Sequence, residues 1–201
     1  IGLLHDIGRF EQLRRYDSFI DNKTVDHAAL GIEILFNDGL IELFKIDKQY
    51  YSLIKTAIFN HNKYEIEPDL DNHTYLHCQI IRDGDKIDIF NTGLLESFEA
   101  FLDVSQNVLE NDMISDDIFE TFMQQQTILS INRKTDLDRW VSFLALVFGL
   151  NFTYSFEYVS KHSFLEKLIR RLDYKNPDSK IKMGQIENCC KSFLKDKVDS
   201  I

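Results

Sequence analysis

Residues 3–12 read LLHDIGRFEQ and place a His-Asp pair, His5 and Asp6, between two leucines and an Ile-Gly-Arg sequence. Alone, such a pair is explained equally well as a hydrogen-bonded pair at a helix end or as part of a metal site. Glu11 and Gln12, at the end of the stretch, are expected at the surface. The choice between the two interpretations of the pair depends on the rest of the chain.

Two further histidines lie on the apolar faces of predicted helices. Residues 26–37 and 48–63 both show the i, i+3, i+4, i+7 spacing of amphipathic helices. His27 falls on the apolar face of the first helix and His61 on that of the second. A buried imidazole needs a polar partner, so either one alone is best interpreted as a hydrogen-bonded core histidine.

A third predicted helix, residues 73–91 with Gly93 as its stop signal, carries Asp83 and Asp85 among isoleucines. A buried carboxylate is costly unless it is paired or bound to a cation. The chain thus contains five polar groups expected in one core: His5, Asp6, His27, His61 and one of these two aspartates. Together they are best satisfied around metal, although periodicity does not choose between Asp83 and Asp85.

The donor types in this set restrict the metal. Mixed imidazole and carboxylate ligands suit transition metals rather than calcium, and the lack of clustered cysteines argues against a structural zinc site. We expect one or two divalent ions (Mn, Fe, Co, Ni, Mg or Zn). Asp6, flanked by histidines from several helices, is the best candidate to bridge two ions about 3.5–4 Å apart.

The ordered motifs LLHDIGR, VDHAALG, IFNHNK and IIRDGDKIDIF resemble the HD superfamily of metal-dependent phosphohydrolases over roughly residues 1–93. The resemblance implies an all-α, HD-type helical bundle that hydrolyses phosphomonoesters or phosphodiesters, usually of nucleotides. It also implies a set of metal ligands: His5, Asp6, His27, His61 and Asp85. Only the resemblance selects Asp85 over Asp83.

The chain departs from the family pattern at two places. The family's first histidine ligand would lie on a helix before Ile1, so we expect an N-terminally truncated chain or a site lacking one ligand. Asn62 stands where some binuclear members have a second histidine. The number of metal ions therefore stays open.

Three cationic side chains lie close in sequence to the expected ligands. Arg9, one turn after the His-Asp pair, has a guanidinium suited to a phosphate, and Lys86 could place a point charge beside it. Arg82, three residues before Asp85, is expected to orient that carboxylate. Each could instead be a surface side chain or part of a structural ion pair. The favoured hypothesis makes Asp6, Arg9 and Lys86 catalytic, with Arg9 and Lys86 binding substrate.

Composition excludes several classes of protein. The 201 residues carry a net charge of −10, which argues against nucleic-acid and anionic-membrane partners and leaves a small phosphorylated substrate, such as a nucleotide. The most apolar run, residues 140–150, is too short to cross a bilayer. Three cysteines make no disulfide framework, so we expect free thiols in a reducing cytoplasm.

Residues 94–201 are predicted to form an accessory helical region packed on the core, as a lid or a partner surface, with a homo-oligomer possible. Helices are expected over 135–149, 154–173 and 178–198, and residues 127–132 could form a short strand or a loop. Two alternatives to an enzyme remain. One is a non-catalytic metal- or nucleotide-binding sensor, and the other is a structural helical domain without metal.

Overall fold

A computed structural model describes residues 1–199, apart from the side chain of Asn22. The described residues form helices and contain no strand, which confirms the all-α prediction. Their eleven α-helices are α1 (Ile7–Tyr16), α2 (His27–Ile32), α3 (Tyr51–Asn60), α4 (Asn72–Leu95), α5 (Phe98–Leu102), α6 (Gln106–Asn111), α7 (Asp116–Met123), α8 (Asp136–Leu144), α9 (Thr153–Lys161), α10 (Phe164–Ile169) and α11 (Pro177–Asp199). None of these helices combines the length and apolar character needed to cross a membrane.

The chain divides into two compact units, Ile1–Asp85 (unit 1) and Lys86–Ile201 (unit 2), and the division falls inside α4. All the predicted metal ligands lie in unit 1. The predicted domains, 1–93 and 94–201, follow motif content rather than contacts and stay a prediction.

In unit 1, α1 and α2 approach each other closely at two glycines. A Cβ atom on Gly8 would lie 2.0 Å from the carbonyl oxygen of His27 and 2.6 Å from the backbone nitrogen of Gly31. Backbone atoms cannot yield to such an overlap, so this crossing requires glycine at position 8. The contact brings the start of α1, with His5 and Asp6 just before it, against the start of α2.

The helices that carry His27 and His61 are fixed by local capping and by apolar packing. The carboxylate of Asp26 accepts hydrogen bonds from the backbone nitrogens of Ala28 and Ala29, which starts α2 at His27. His61 is the C-cap residue of α3. A buried apolar cluster underlies this part of the unit: Leu4, Ile32, Leu35, Ile41, Ile54 and Ile58.

Several predicted helix limits need correction. Helix α4 passes through Gly93 to Leu95, because an interior glycine costs only about 1 kcal/mol. The helix predicted over 154–173 is two helices, since Ser163 between them adopts a left-handed backbone conformation with φ of 51°. The segment 127–132 contains a 3₁₀ turn and no strand.

Two other predicted helices end in a different helical geometry. Helix α2 continues as a π-helical turn over Glu33–Asn37, and α8 continues as a 3₁₀ turn over Ala145–Gly149. The expectation for 178–198 is confirmed by α11. The core of unit 2 is rich in aromatic residues, with Phe90, Phe122 and Trp140 among its most buried side chains.

Candidate metal centre

Four predicted ligands converge in unit 1: His5, Asp6, His27 and His61. His27 and His61 are 1% and 3% exposed and form the buried side of the group. His5 and Asp6 are half-buried and leave the other side open to solvent. The periodicity of the sequence predicted the burial of the two inner histidines, and the structure confirms it.

All three imidazoles present the same nitrogen to the centre. Nδ1 of His5 and Nδ1 of His61 face backbone carbonyl oxygens at 2.8 and 2.6 Å, and Nδ1 of His27 faces Oδ2 of Asp21 at 2.6 Å. These oxygens only accept hydrogen bonds, so each Nδ1 carries the proton. In its neutral form each ring therefore turns an Nε2 lone pair toward Asp6.

The deeper side of the centre brings three acceptors together. Nε2 of His27 and Nε2 of His61 lie 3.0 Å apart, and they lie 3.2 and 3.4 Å from Oδ1 of Asp6. Within the described part of the chain, this buried Oδ1 has no hydrogen-bond partner of acceptable geometry. Lone pairs that face one another in this way are stabilised by a shared proton or metal ion, and these donors fit a divalent metal ion.

The other oxygen of Asp6, Oδ2, faces the imidazole of His5 and the guanidinium of Arg9. Nε2 of His5 lies 3.7 Å from Oδ2 of Asp6 and 3.6 Å from Oδ1 of Asp85. The structure thus places Asp85 beside His5, while Asp83 is buried. Because its two oxygens face different pairs, Asp6 has the placement needed to bridge two cations.

The electrostatics of the centre favour an ionised Asp6 and make His5 and His27 easier to protonate. Burial opposes ionisation of Asp6, but His27, His61 and Arg9 outweigh it and hold its pKa well below the usual range. Burial lowers the pKa of His5 and of His27, but the neighbouring carboxylates outweigh it and raise both pKa values above 6.5. Protons and metal ions therefore compete for the same nitrogens.

Arg9 lies at the open side of the centre. Its Nε donates to Oδ2 of Asp6 at 3.1 Å, and its Nη1 lies 3.9 Å from Oδ1 of Asp21. A third of its side chain is exposed. The guanidinium is therefore anchored by two carboxylates and still accessible to an anion.

Arg82 supports the chain that follows His61. Its guanidinium donates hydrogen bonds to the backbone carbonyl oxygens of Asn60, Lys63 and Tyr64. These bonds fix the turn that leaves α3 and so hold the ring of His61 in place. The predicted role of Arg82 toward Asp85 stays a prediction.

Lys86 belongs to unit 2 and is buried there. Its methylene groups lie so close to Gly149 that a Cβ atom on that glycine would be 3.1 Å from Cε of Lys86. The expected contact between Lys86 and a substrate phosphate is untested and stays a prediction.

Two residues of the centre, Asp21 and Gln12, were not predicted from the sequence. Asp21 accepts a hydrogen bond from Nδ1 of His27, and it lies in a 3₁₀ turn, which the periodicity of apolar residues does not predict. Gln12, expected at the surface, is completely buried and donates to Oδ1 of Asp21 at 2.9 Å. Its position four residues after Gly8, on the face of α1 that meets α2, is the signal that could have identified it.

A second group of possible ligands comprises Asp21, Asp26 and His27. We interpret these three residues as support for the ligands around Asp6, because Nδ1 of His27 already donates to Asp21 and because Asp26 caps α2. Asn62 donates to Oδ1 of Asp26 at 2.9 Å and to Oδ2 of Asp21 at 3.4 Å. It holds the two aspartates in place.

The chain was compared with protein-family models, with curated proteins and with solved structures, and none of them matched it. The resemblance to the HD superfamily thus stays a prediction. The function proposed below relies on that resemblance and on the arrangement of the chain's own side chains.

Proposed function

We propose that the chain is a metal-dependent phosphohydrolase acting on a phosphomonoester or phosphodiester, in particular of a nucleotide. The observation that carries the proposal is the convergence of three Nε2 lone pairs on Asp6, whose buried Oδ1 has no hydrogen-bond partner among the described residues. The order of the motifs, which resembles that of the HD superfamily, supports the reaction class.

Two sets of donors would hold the metal. Oδ1 of Asp6 with His27 and His61 forms the deeper set, and Oδ2 of Asp6 with His5 and Asp85 forms the outer set. When bound, a divalent ion supplies a Lewis acid that activates water and neutralises charge on a phosphoryl group. The donors are nitrogen and oxygen only, which favours Mn, Fe, Co, Ni, Mg or Zn in an open site.

The chain's own side chains would orient the ligands and bind the substrate. Asp21 fixes the ring of His27 so that its Nε2 points inward. Arg9, at the open side, has a planar guanidinium that matches phosphate oxygens and would hold the ester next to the ligands. Lys86 is proposed as a second positive charge for the same phosphate.

The composition supports the remaining parts of the proposal. A net charge of −10 favours a small substrate over nucleic acid or an anionic membrane. The three cysteines are free and buried, which fits a reducing compartment, so we propose a cytoplasmic location. Association into a homo-oligomer is compatible with these features and is part of the same hypothesis.

A second candidate is a sensor that binds metal or nucleotide without turnover. One observation favours it: Arg9 is already engaged by Asp6 and lies near Asp21, so it must give up part of this pairing to bind substrate. A sensor that binds metal alone needs no such exchange.

A substrate panel separates these candidates. The protein would be loaded with Mn²⁺ and assayed against nucleoside mono-, di- and triphosphates, p-nitrophenyl phosphate and bis(p-nitrophenyl) phosphate, beside an Asp6→Asn variant. We expect turnover that chelation removes and that Asp6→Asn lacks. Nucleotide binding without turnover would favour the sensor, and a protein that binds neither metal nor nucleotide would refute both.

A further inference from the structure

Gln12 is a completely buried polar side chain whose amino group makes three contacts. Its Nε2 lies 2.9 Å from Oδ1 of Asp21, from Oγ1 of Thr24 and from the carbonyl oxygen of Val25. Oγ1 of Thr24 gives its own proton to the carbonyl oxygen of Ile20, so all three groups are acceptors that share the two N–H groups of Gln12. Only the amino end of the amide can face them.

The opposite end of the amide has no compensating contact. Oε1 of Gln12 is buried and has no hydrogen-bond partner among the described residues. An orphaned buried acceptor is costly, and an apolar side chain would avoid that cost. What glutamine adds at this position is therefore its amino group, which binds Thr24 and Val25 in the segment before α2 and also binds Asp21 beside His27.

Asp21 connects Gln12 to the metal centre. One carboxylate oxygen, Oδ1, accepts from Gln12, and the other, Oδ2, accepts from Nδ1 of His27 at 2.6 Å. With both oxygens engaged, the carboxylate cannot rotate away from the imidazole. Groups that bind the far nitrogen of a metal-ligating histidine fix its tautomer and its orientation.

We propose that Gln12 is a positioning residue of the metal centre that acts through Asp21 on His27. It holds the carboxylate so that the proton of His27 stays on Nδ1 and Nε2 remains free to bind a cation. This inference rests on the proposed metal centre, and it extends that centre to a residue that touches neither metal nor substrate.

The test is a double-mutant cycle on Mn²⁺ affinity, measured by calorimetry on the full chain. Gln12→Met keeps the length of the side chain and removes the amino group, and Gln49→Met applies the same change to an exposed glutamine of unit 1. We expect Gln12→Met to weaken Mn²⁺ binding by about 10- to 100-fold and Gln49→Met to leave it unchanged. In an Asp21→Ala background, Gln12→Met should have no further effect.

A second readout follows the tautomer of His27 by nitrogen NMR in the folded, metal-free protein above the pKa of the ring. We expect the proton on Nδ1 in the wild type and a mixture of tautomers in Gln12→Met. If Gln12→Met does not fold, Gln12→Leu, which also lacks a donor and introduces no charge, takes its place. This readout needs no metal, so it tests Gln12 even if the proposed function fails.

Two results would overturn the inference. One is Mn²⁺ affinity that Gln12→Met leaves unchanged, or lowers equally with and without Asp21. The other is a wild-type His27 that carries its proton on Nε2. A wild type that binds no Mn²⁺ but shows the expected tautomers would contradict the proposed function alone.

Discussion

Asp6 uses both of its carboxylate oxygens, and this is the feature of a single residue on which the centre depends. Oδ1 faces the two buried imidazoles, and Oδ2 faces His5 and the guanidinium of Arg9. Among the expected metal ligands, Asp6 is the carboxylate that contacts all three of these histidines and Arg9. Changes at Asp6 should therefore affect metal binding more than changes at any single histidine.

Asp6→Asn should abolish stoichiometric metal binding while preserving the fold. The amide keeps the size of the side chain but loses the negative charge that a divalent ion requires. The measurement is Mn²⁺ titration calorimetry with circular dichroism as the fold check. Asp17→Asn is the matched control, because Asp17 is exposed, lies outside the centre and has a left-handed backbone that asparagine tolerates. Unchanged Mn²⁺ binding in Asp6→Asn would contradict the assignment.

Arg9→Gln should leave metal content unchanged and lower kcat/KM for a phosphate ester by about 10- to 100-fold, the effect of losing one charged hydrogen bond. The measurement is steady-state kinetics of the Mn²⁺-loaded protein with p-nitrophenyl phosphate. Arg15→Gln is the control, since Arg15 pairs with Glu11 on the surface of the same helix. An equal loss in both variants would show that Arg9 has no specific role toward phosphate.

At the scale of helices, the sequence predicts which faces are buried but not how closely two helices approach. The apolar periodicity around His27 and His61 is enough to predict that both are buried, as they are. The crossing at Gly8 and Gly31 is not readable from periodicity, because it depends on backbone distances. Asp21 was not predicted for a related reason, since it lies in a turn, where apolar residues show no periodic spacing.

Gly8→Ala should disrupt the centre through the backbone. Its Cβ would lie 2.0 Å from the carbonyl oxygen of His27, so α1 must move away from α2 and take His5 and Asp6 with it. We expect the free energy of unfolding to fall by about 1–3 kcal/mol, as for other overpacked sites, and Mn²⁺ binding to weaken. Urea unfolding and calorimetry measure the two effects.

Gly84→Ala provides the control for this experiment. A Cβ on Gly84 meets nothing within 4 Å, although the residue neighbours Asp85 in α4. We expect unchanged Mn²⁺ binding and a gain of up to about 1 kcal/mol, because alanine is the better helix former. If Gly8→Ala behaved like Gly84→Ala, the close crossing of α1 and α2 would not position the ligands.

For the molecule as a whole, composition predicted an all-α chain without membrane-spanning helices, and the described residues agree. The sequence could not give the internal division at Asp85, because α4 is continuous across it. The composition also does not predict the reaction, since acidic helical proteins serve many functions. For the whole molecule, the metal centre should make the stability of the fold depend on both pH and bound metal.

The stabilisation of the protein by Mn²⁺ should grow as pH rises. The folded state raises the pKa values of His5 and His27 above 6.5, so in the metal-free protein their protonation stabilises the fold below pH 6.5. That contribution is lost as pH rises through the raised values. Metal binds the deprotonated rings, so its effect changes in the opposite direction. Asp6, with its lowered pKa, stays ionised throughout.

The measurement is the melting temperature with and without Mn²⁺ between about pH 5.5 and pH 8.5, a window in which proton and metal compete for these rings. The difference between the two curves should be small at the acidic end and increase steadily. His73→Gln, which removes an exposed histidine outside the centre, should give the same profile. A difference that shrinks with rising pH would contradict the competition between protons and metal.

The central claim, that His5, His27 and His61 converge with Asp6 to bind a divalent cation, is tested most directly by elemental analysis. The chain would be purified without chelators, in parallel with Asp6→Asn and Asp17→Asn, and the metal content per chain measured. We expect one or two equivalents of a divalent transition metal or magnesium in the wild type and in Asp17→Asn, and none in Asp6→Asn. A wild type that stays metal-free, also after incubation with Mn²⁺, would show that these side chains do not form a metal site.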